Sequence, residues 1–191
     1  MLLSQFTTNF IEAGVDEAGR GCLAGAVVAA AVILPKNYEH SWLRDSKKLS
    51  HKQRELLKID IMKDALAYAI AEVDNEEIDK INIRNASVLA MQRAIEKLVI
   101  VPELLLIDGN FFMSYKNIDF HCIIKGDDKY LAIAAASILA KTYRDEMMQQ
   151  HAKTYQGYGW ETNAAYPTKA HYEAIAKLGI TPLHRKTFRL Y

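Results

Sequence analysis

The sequence predicts an α/β domain, a mixed β-sheet with helices on its faces. Three observations predict it. Short apolar runs bounded by turn residues alternate with longer segments of helical periodicity. The 191 residues, half hydrophobic and a quarter charged, suit one domain with a sizeable core. Acids also stand at or just past the ends of three apolar runs, at Asp16, Asp108 and Asp127, where open α/β sheets build their sites.

Taken in order, residues 10–16 form a short mixed strand that runs into Glu17-Ala18-Gly19-Arg20-Gly21. Two glycines flanking an arginine make a tight turn in which backbone amides can face outward. Residues 25–34 are continuously apolar and partly β-branched, the pattern of a strand buried on both faces. Ser50 and Gln53 form a capping box that opens a helix through Leu57 and Ile61. Residues 67–73 suit a third strand. A helix is predicted over 87–99, with Val88, Met91, Ile95 and Leu98 on one face, closed off before Pro102. Residues 104–107 are a short buried strand that stops at Asp108-Gly109, and 120–124 are another, followed by Lys125-Gly126-Asp127-Asp128. A long helix covers 130–151, and its alanine-rich start permits close packing. The tail holds Gly157, Gly159 and Pro167, then a helix over 169–178. The expectation is one domain, 1–191.

Composition excludes several classes. The apolar content is too high for a disordered chain, and the longest apolar stretch, eleven residues over 24–34, is too short to span a bilayer. The N-terminal residues lack the basic region and clean apolar core of an export signal. Cys22 and Cys122, the two cysteines, have no close spacing, which argues against a disulfide framework or a zinc site. A soluble, monomeric, cytoplasmic protein with reduced thiols is expected. Net charge is +1, but residues 168–191 carry five Lys or Arg against the single acid Glu173. The opposite sign collects at Asp74, Glu76, Glu77 and Asp79. Such a basic tail suits a phosphate-backbone binder, and equally an ordinary set of helix ends.

The acids are the informative residues. Each taken singly reads as a turn or helix cap. Together, Asp16, Glu17, Asp108 and Asp127 converge on neighbouring strand ends, where they would repel one another unless a cation lay between them. An all-oxygen set selects Mg²⁺ or Mn²⁺ over zinc. Lys47 and Lys48, just before the capping box, can hold phosphates or simply be solvated. Ser137, Lys141 and Arg144 share one helix face by their spacing, a stripe that either follows a nucleic-acid backbone or faces water. No metalloprotease or nucleophile-elbow spacing occurs. The glycine turn lacks the third glycine of a dinucleotide site and leads into a strand rather than a helix.

An ordered series of segments then resembles one family, ribonuclease HII. It begins with Gly14-Val15-Asp16-Glu17-Ala18-Gly19-Arg20-Gly21 and Asp45-Ser46-Lys47-Lys48-Leu49-Ser50. It continues through Glu77-Ile78-Asp79, Asn82-Ile83, Leu89-Ala90-Met91-Gln92, Ile107-Asp108-Gly109-Asn110 and Lys125-Gly126-Asp127. Ala135-Ala136-Ser137-Ile138-Leu139-Ala140-Lys141, Arg144-Asp145, Tyr166-Pro167-Thr168 with His171, and His184-Arg185 with Phe188 complete it. The sister family, ribonuclease HIII, usually has lysine in place of Arg20.

The resemblance implies a ribonuclease H-like fold with a small C-terminal helical extension, residues from about 155 onward packed on it, and a two-metal endonuclease using Mn²⁺ or Mg²⁺. Its expected partners are RNA–DNA hybrids, whose RNA strand it cuts, and duplex DNA containing ribonucleotides. There it incises 5′ to a single ribonucleotide, leaving 3′-hydroxyl and 5′-phosphate ends, as in ribonucleotide excision repair. It implies Asp16, Glu17, Asp108 and Asp127 as the catalytic, metal-holding carboxylates, with Asp127 rather than Asp128 in the motif position. It implies that Gly19-Arg20-Gly21 reads the ribose 2′-hydroxyl and that Tyr166 stacks on the following deoxyribose. Lys47, Lys48, Ser137 and Lys141 are then the expected contacts to the nucleic-acid backbone. The sequence departs from the family pattern at Cys22, where proline is usual, and at Ala165, where glycine is common. Two alternatives are a junction-resolving nuclease on the same fold and a non-catalytic hybrid-binding module. A ribose-reading turn separates the first, and a negative cluster beside phosphate counts against the second.

Overall fold

The strand expected to be buried on both faces is β2 (Val27–Ile33), and all seven of its residues are buried. The computed structural model describes residues 2–43 and 49–191, and β2 there pairs antiparallel with β1 (Glu12–Ala18) and with β3 (Ala67–Val73). On its other side β1 pairs parallel with β4 (Leu104–Asp108), which pairs parallel with β5 (Asp119–Ile123). The sheet order is β3-β2-β1-β4-β5.

The period-2 alternation of strands sorts the core into two layers. Val27, Ala29, Ala31 and Ile33 join Ala13, Val15, Leu105 and Ile107 on one face, against Ala90, Met91, Ala94 and Ile95 of α3 (Ile83–Glu96). Val28, Ala30 and Val32 face the other way. They meet Leu57 and Ile61 of α1 (His51–Asp64) and the alanines of α4 (Leu131–Thr154). Gly14 shows why those alanines are needed. A Cβ at Gly14 would lie 2.2 Å from the Ala132 carbonyl carbon, so bare backbone and small side chains together let α4 lie directly on β1. The same parity puts Asp16 and Asp108 on the α4 face, because Gly14, Leu104 and Leu106 already point there.

Several boundaries differ from expectation. β1 runs to Ala18 rather than stopping at Asp16, because its ladder with β2 continues to the Ala18–Val28 pair. The acidic run expected only as a negative patch forms α2 (Asn75–Ile81), whose N-cap Asp74 accepts the Glu77 amide. Glu76 and Glu77 sit in its first turn, the favourable end of the helix dipole. α3 begins at Ile83, ahead of the predicted 87, since the Asn82 side chain caps it by accepting the Asn85 amide. Residues 126–128, which follow the strand expected over 120–124 and for which the sequence predicts no element, make one 3₁₀ turn.

Beyond α4, α5 (Trp160–Asn163) and α6 (Lys169–Leu178) form the expected C-terminal helical extension. Trp160, Ala174, Ile175 and Leu190 pack on Cys22, Leu23 and Ala24 of the β1–β2 loop and on Met148 of α4. Among the described residues, no helix is long and apolar enough to cross a membrane.

Candidate active site

In the parallel β1–β4 ladder Val15 pairs with Ile107, so the next residues, Asp16 and Asp108, stand beside each other at the same end of the sheet. Nine of the twelve expected site residues line one cavity there: Asp16, Glu17, Gly19, Arg20, Gly21, Asp108, Ser137, Lys141 and Tyr166. Asp127 does not line it; it is buried in the 3₁₀ turn whose Gly126 amide bonds Asp108, while the adjacent Asp128 is exposed. Lys47 and Lys48 lie outside the described residues.

The electrostatics are those of crowded acids. Burial pushes the Asp16 carboxyl well above its usual pKa, and the charges of Glu17 and Asp108 push it further. A Ser137 hydrogen bond and the Glu17 amide, 2.7 Å from Asp16 Oδ1, offset part of this. Glu17 is also raised, chiefly by burial, against the pull of the Arg20 guanidinium 3.1 Å away. Asp108 Oδ1 accepts the Gly126 amide at 2.7 Å. Each of the three acids thus already has a protein partner, and among the described residues no three His, Cys, Asp or Glu side chains stand as a ready metal cage. The donor set itself fits a hard divalent cation, because it is all oxygen and the neighbouring acid charges raise the Asp16 and Glu17 pKa values where a cation would lower them.

The glycine turn is built for close approach. Gly19 has φ +95°, and a Cβ there would lie 2.0 Å from Arg144 Nε, so no side chain fits. Arg20 and Gly21, the central residues of the turn closed by the Cys22 amide and the Gly19 carbonyl at 3.3 Å, are both exposed. Tyr166, 39% exposed, faces them from the extension, with Lys141 Nζ 5.3 Å from its ring centre. Lys141 also pairs with Asp145 at 2.6 Å. The Tyr166 backbone is tied down: its carbonyl accepts from the Thr168 amide at 2.8 Å and stands 3.1 Å from His171 Nδ1. Ala165 adopts φ +62°, the left-handed backbone that glycine takes more easily.

Two expectations need correction. Arg144 is not part of a solvent-facing stripe. It is 1% exposed and donates to the carbonyls of Ala24, Ala26 and Ala164 at 2.8–3.1 Å. Arg185, counted in the basic tail, is fully buried. Helical spacing assigns a face but cannot say whether polar backbone lies behind it. The buried pair His171 and His184 was not singled out as functional either; its only sequence signal lay in the Tyr166–His171 and His184–Arg185 segments of the resemblance.

The sheet order and flanking helices define a nuclease fold of the ribonuclease H type. The family model described as "Ribonuclease HII" matches residues 13–191. A ribonuclease HII from Parabacteroides distasonis is 60% identical over 190 residues, covering 100% of this chain and 96% of its own. The ribonuclease H2 structure from Pyrococcus horikoshii superposes with a TM-score of 0.79 at 25% identity, covering 94% of each chain. A Bst ribonuclease HIII solved with Mn²⁺ matches with a TM-score of 0.71 at 22% identity, over 94% of this chain and 67% of that one; this likeness bears on fold. The chain belongs to the ribonuclease HII family, and it is a nuclease, a hydrolase with ribonuclease H activity on RNA–DNA hybrids.

Proposed function

We propose that this nuclease also incises duplex DNA on the 5′ side of a single embedded ribonucleotide, leaving a 3′-hydroxyl and a 5′-phosphate. The observation that carries this reading is the shared cavity. The acids Asp16, Glu17 and Asp108 open into the same space as the Gly19–Gly21 turn and Tyr166, so strand cleavage and ribose reading fall within one nucleotide's reach.

In this reading Asp16, Glu17, Asp108 and Asp127 hold two Mg²⁺ or Mn²⁺ ions. Bound there, such ions supply the Lewis acidity that activates water and offsets charge on the departing 3′-oxygen. The chain's own residues do the rest. Ser137 orients Asp16 through its hydrogen bond, and the Gly126 amide orients Asp108. The amides of the exposed Arg20–Gly21 turn approach the ribose 2′-hydroxyl, the group that distinguishes RNA from DNA. Tyr166 packs against the sugar on the DNA side of the junction. Lys141, with Lys47 and Lys48, contributes sequence-independent phosphate contacts whose strength falls with salt.

The test is strand cleavage of a labelled DNA duplex holding one ribonucleotide, run beside an all-DNA duplex and a long hybrid, each with Mg²⁺, Mn²⁺ or EDTA. Metal-dependent cutting 5′ to the lone ribonucleotide, absent in EDTA and on DNA, supports the reading. Cleavage of the long hybrid alone removes the ribose-reading role from the turn and Tyr166 and keeps the acids.

A further inference from the structure

Arg185 comes from the far end of the chain, yet its guanidinium lies directly beneath the glycine turn. Its Nη2 donates to the Gly19 carbonyl at 2.8 Å, its Nη1 to the Arg20 carbonyl at 2.9 Å, and its Nε to the Gly25 carbonyl at 3.0 Å. Among the described residues no carboxylate pairs with it, so the buried cation is hydrogen-bonded to backbone carbonyls, with the Phe188 ring centre 5.1 Å from its Cζ.

The stereochemistry of the peptide unit gives this clamp a consequence. Among the described residues no peptide bond is cis, and in a planar trans unit the C=O of one residue and the N–H of the next point in opposite directions. Drawing the Gly19 carbonyl inward therefore turns the Arg20 amide outward. Drawing the Arg20 carbonyl inward does the same to the Gly21 amide. Among the described residues neither amide has a protein acceptor, and both residues line the cavity. We infer that Arg185 is a positioning residue for ribose recognition, the group that aims the Arg20 and Gly21 amides into the cavity. This rests on the reading that the turn recognises the 2′-hydroxyl.

The C-terminal segment is fastened so that the clamp holds. The Arg185 amide donates to the Leu23 carbonyl at 2.8 Å, and the Leu183 carbonyl accepts the Gly25 amide at 2.9 Å. On the outer side Asp79 of α2 accepts the amides of Lys186 and Thr187 and the Thr187 hydroxyl at 2.6–3.0 Å. The guanidinium's rigid planar fork can meet two neighbouring carbonyls at once, which a lysine ammonium on a flexible stem cannot do in the same geometry. Burial and the neighbouring Arg144 lower the Arg185 pKa to about 10, which leaves it charged at neutral pH.

The experiment compares binding of a duplex holding one ribonucleotide with binding of the same all-DNA duplex, in EDTA, for wild type and Arg185→Lys. Amide resonances of Arg20 and Gly21 are followed in parallel by NMR. The expected result is a ribonucleotide preference reduced about tenfold, the loss of two modest hydrogen bonds. All-DNA affinity should be unchanged and both resonances shifted. A general structural defect would instead weaken both duplexes together. If Arg185→Lys does not fold, Asp79→Ala, which frees the tail but leaves Arg185 in place, carries the test with a smaller loss in the same ratio. A wild-type preference that survives the substitution overturns the inference and leaves the ribose-reading role standing. A wild type with no preference overturns that role instead; the resonances then decide Arg185 alone, and resonances unmoved in Arg185→Lys overturn it too.

Discussion

Asp108 Oδ1 accepts the Gly126 amide at 2.7 Å, a bond that ties the acid at the end of β4 to the 3₁₀ turn carrying Asp127. An asparagine oxygen can keep this bond while removing the charge. Asp108→Asn is therefore expected to fold and to bind hybrid, and to lose roughly 10²–10³ or more in cleavage rate, the scale of removing one electrostatic group from a reacting centre. Cleavage of a single-ribonucleotide duplex in Mg²⁺ checks this; a wild-type rate would remove Asp108 from the metal-holding set.

Asp16 makes the opposite contribution to stability. Its raised pKa, caused first by burial and then by Glu17 and Asp108, means that folding disfavours its charge. The cost is absent while the carboxyl is protonated and grows as pH rises. Asp16→Asn should raise Tm in EDTA at pH 7.5 by about 2–4 °C, as a gain near 1 kcal/mol does in a chain of this size. Mg²⁺ should raise the wild-type Tm more than the variant's. A variant that melts below wild type in EDTA would mean the acids are not under mutual strain.

Two glycines two residues apart should behave differently. A Cβ at Gly21 meets nothing within 4 Å, whereas one at Gly19 meets Arg144 and a left-handed backbone. Gly21→Ala should leave stability within about 0.5 kcal/mol of wild type yet impair incision, because the open space is where substrate must come. Gly19→Ala should lose stability and activity together. Thermal melts beside incision assays separate the two; full incision by Gly21→Ala would show that the ribose does not approach that backbone.

Tyr166→Ala should slow incision at a lone ribonucleotide more than cleavage within a long RNA tract, since only the former presents deoxyribose on the downstream side. Equal losses on both substrates would move Tyr166 from junction recognition to general support of the site.

The Tyr166 carbonyl leans on a buried histidine pair with one consistent proton assignment. His171 Nδ1 must donate to that carbonyl, so its Nε2 accepts from Trp160 Nε1 at 3.0 Å and from His184 Nε2 at 3.3 Å. His184 Nδ1 in turn accepts the Thr181 amide at 2.8 Å. Both rings are therefore neutral, and burial lowers both pKa values, His184 to about 4 with help from His171. A histidine depressed on folding contributes its full stability above the unfolded pKa near 6.5 and loses it as pH falls toward 4. The amount is up to about 3 kcal/mol for His184. Asp16 slopes the other way, so the histidine share is the difference between wild type and His184→Gln in urea melts at pH 7 and pH 4.5. Parallel pH slopes for the two proteins would refute a neutral buried pair.

Much of the fold was legible because its signals are local. The seven apolar residues of β2, the Ser50–Gln53 capping box and the apolar face of α3 are patterns set by period and capping within a few residues. The acids were legible for a related reason: a carboxylate at the end of an apolar strand is costly unless something answers it. α2 was not, because its run of acids reads as a charged patch until Asp74 is seen capping it. Arg144 and Arg185 were not, because their partners are carbonyls of the β1–β2 loop and the Ala164 segment, distant in sequence and identical in kind to every other carbonyl.

The sequence by itself determined the chemistry: which residues carry charge, which strands end in acids, where the glycine turn falls and which family the ordered segments resemble. Only the tertiary structure decided how those residues face one another. Strand parity put Asp16 and Asp108 on the α4 side, and the return of the C-terminal segment set Arg185 beneath Gly19 and Arg20. The physical reason is that residue type and period are properties of neighbouring positions, whereas a cavity is made by hydrogen bonds and packing between segments more than a hundred residues apart.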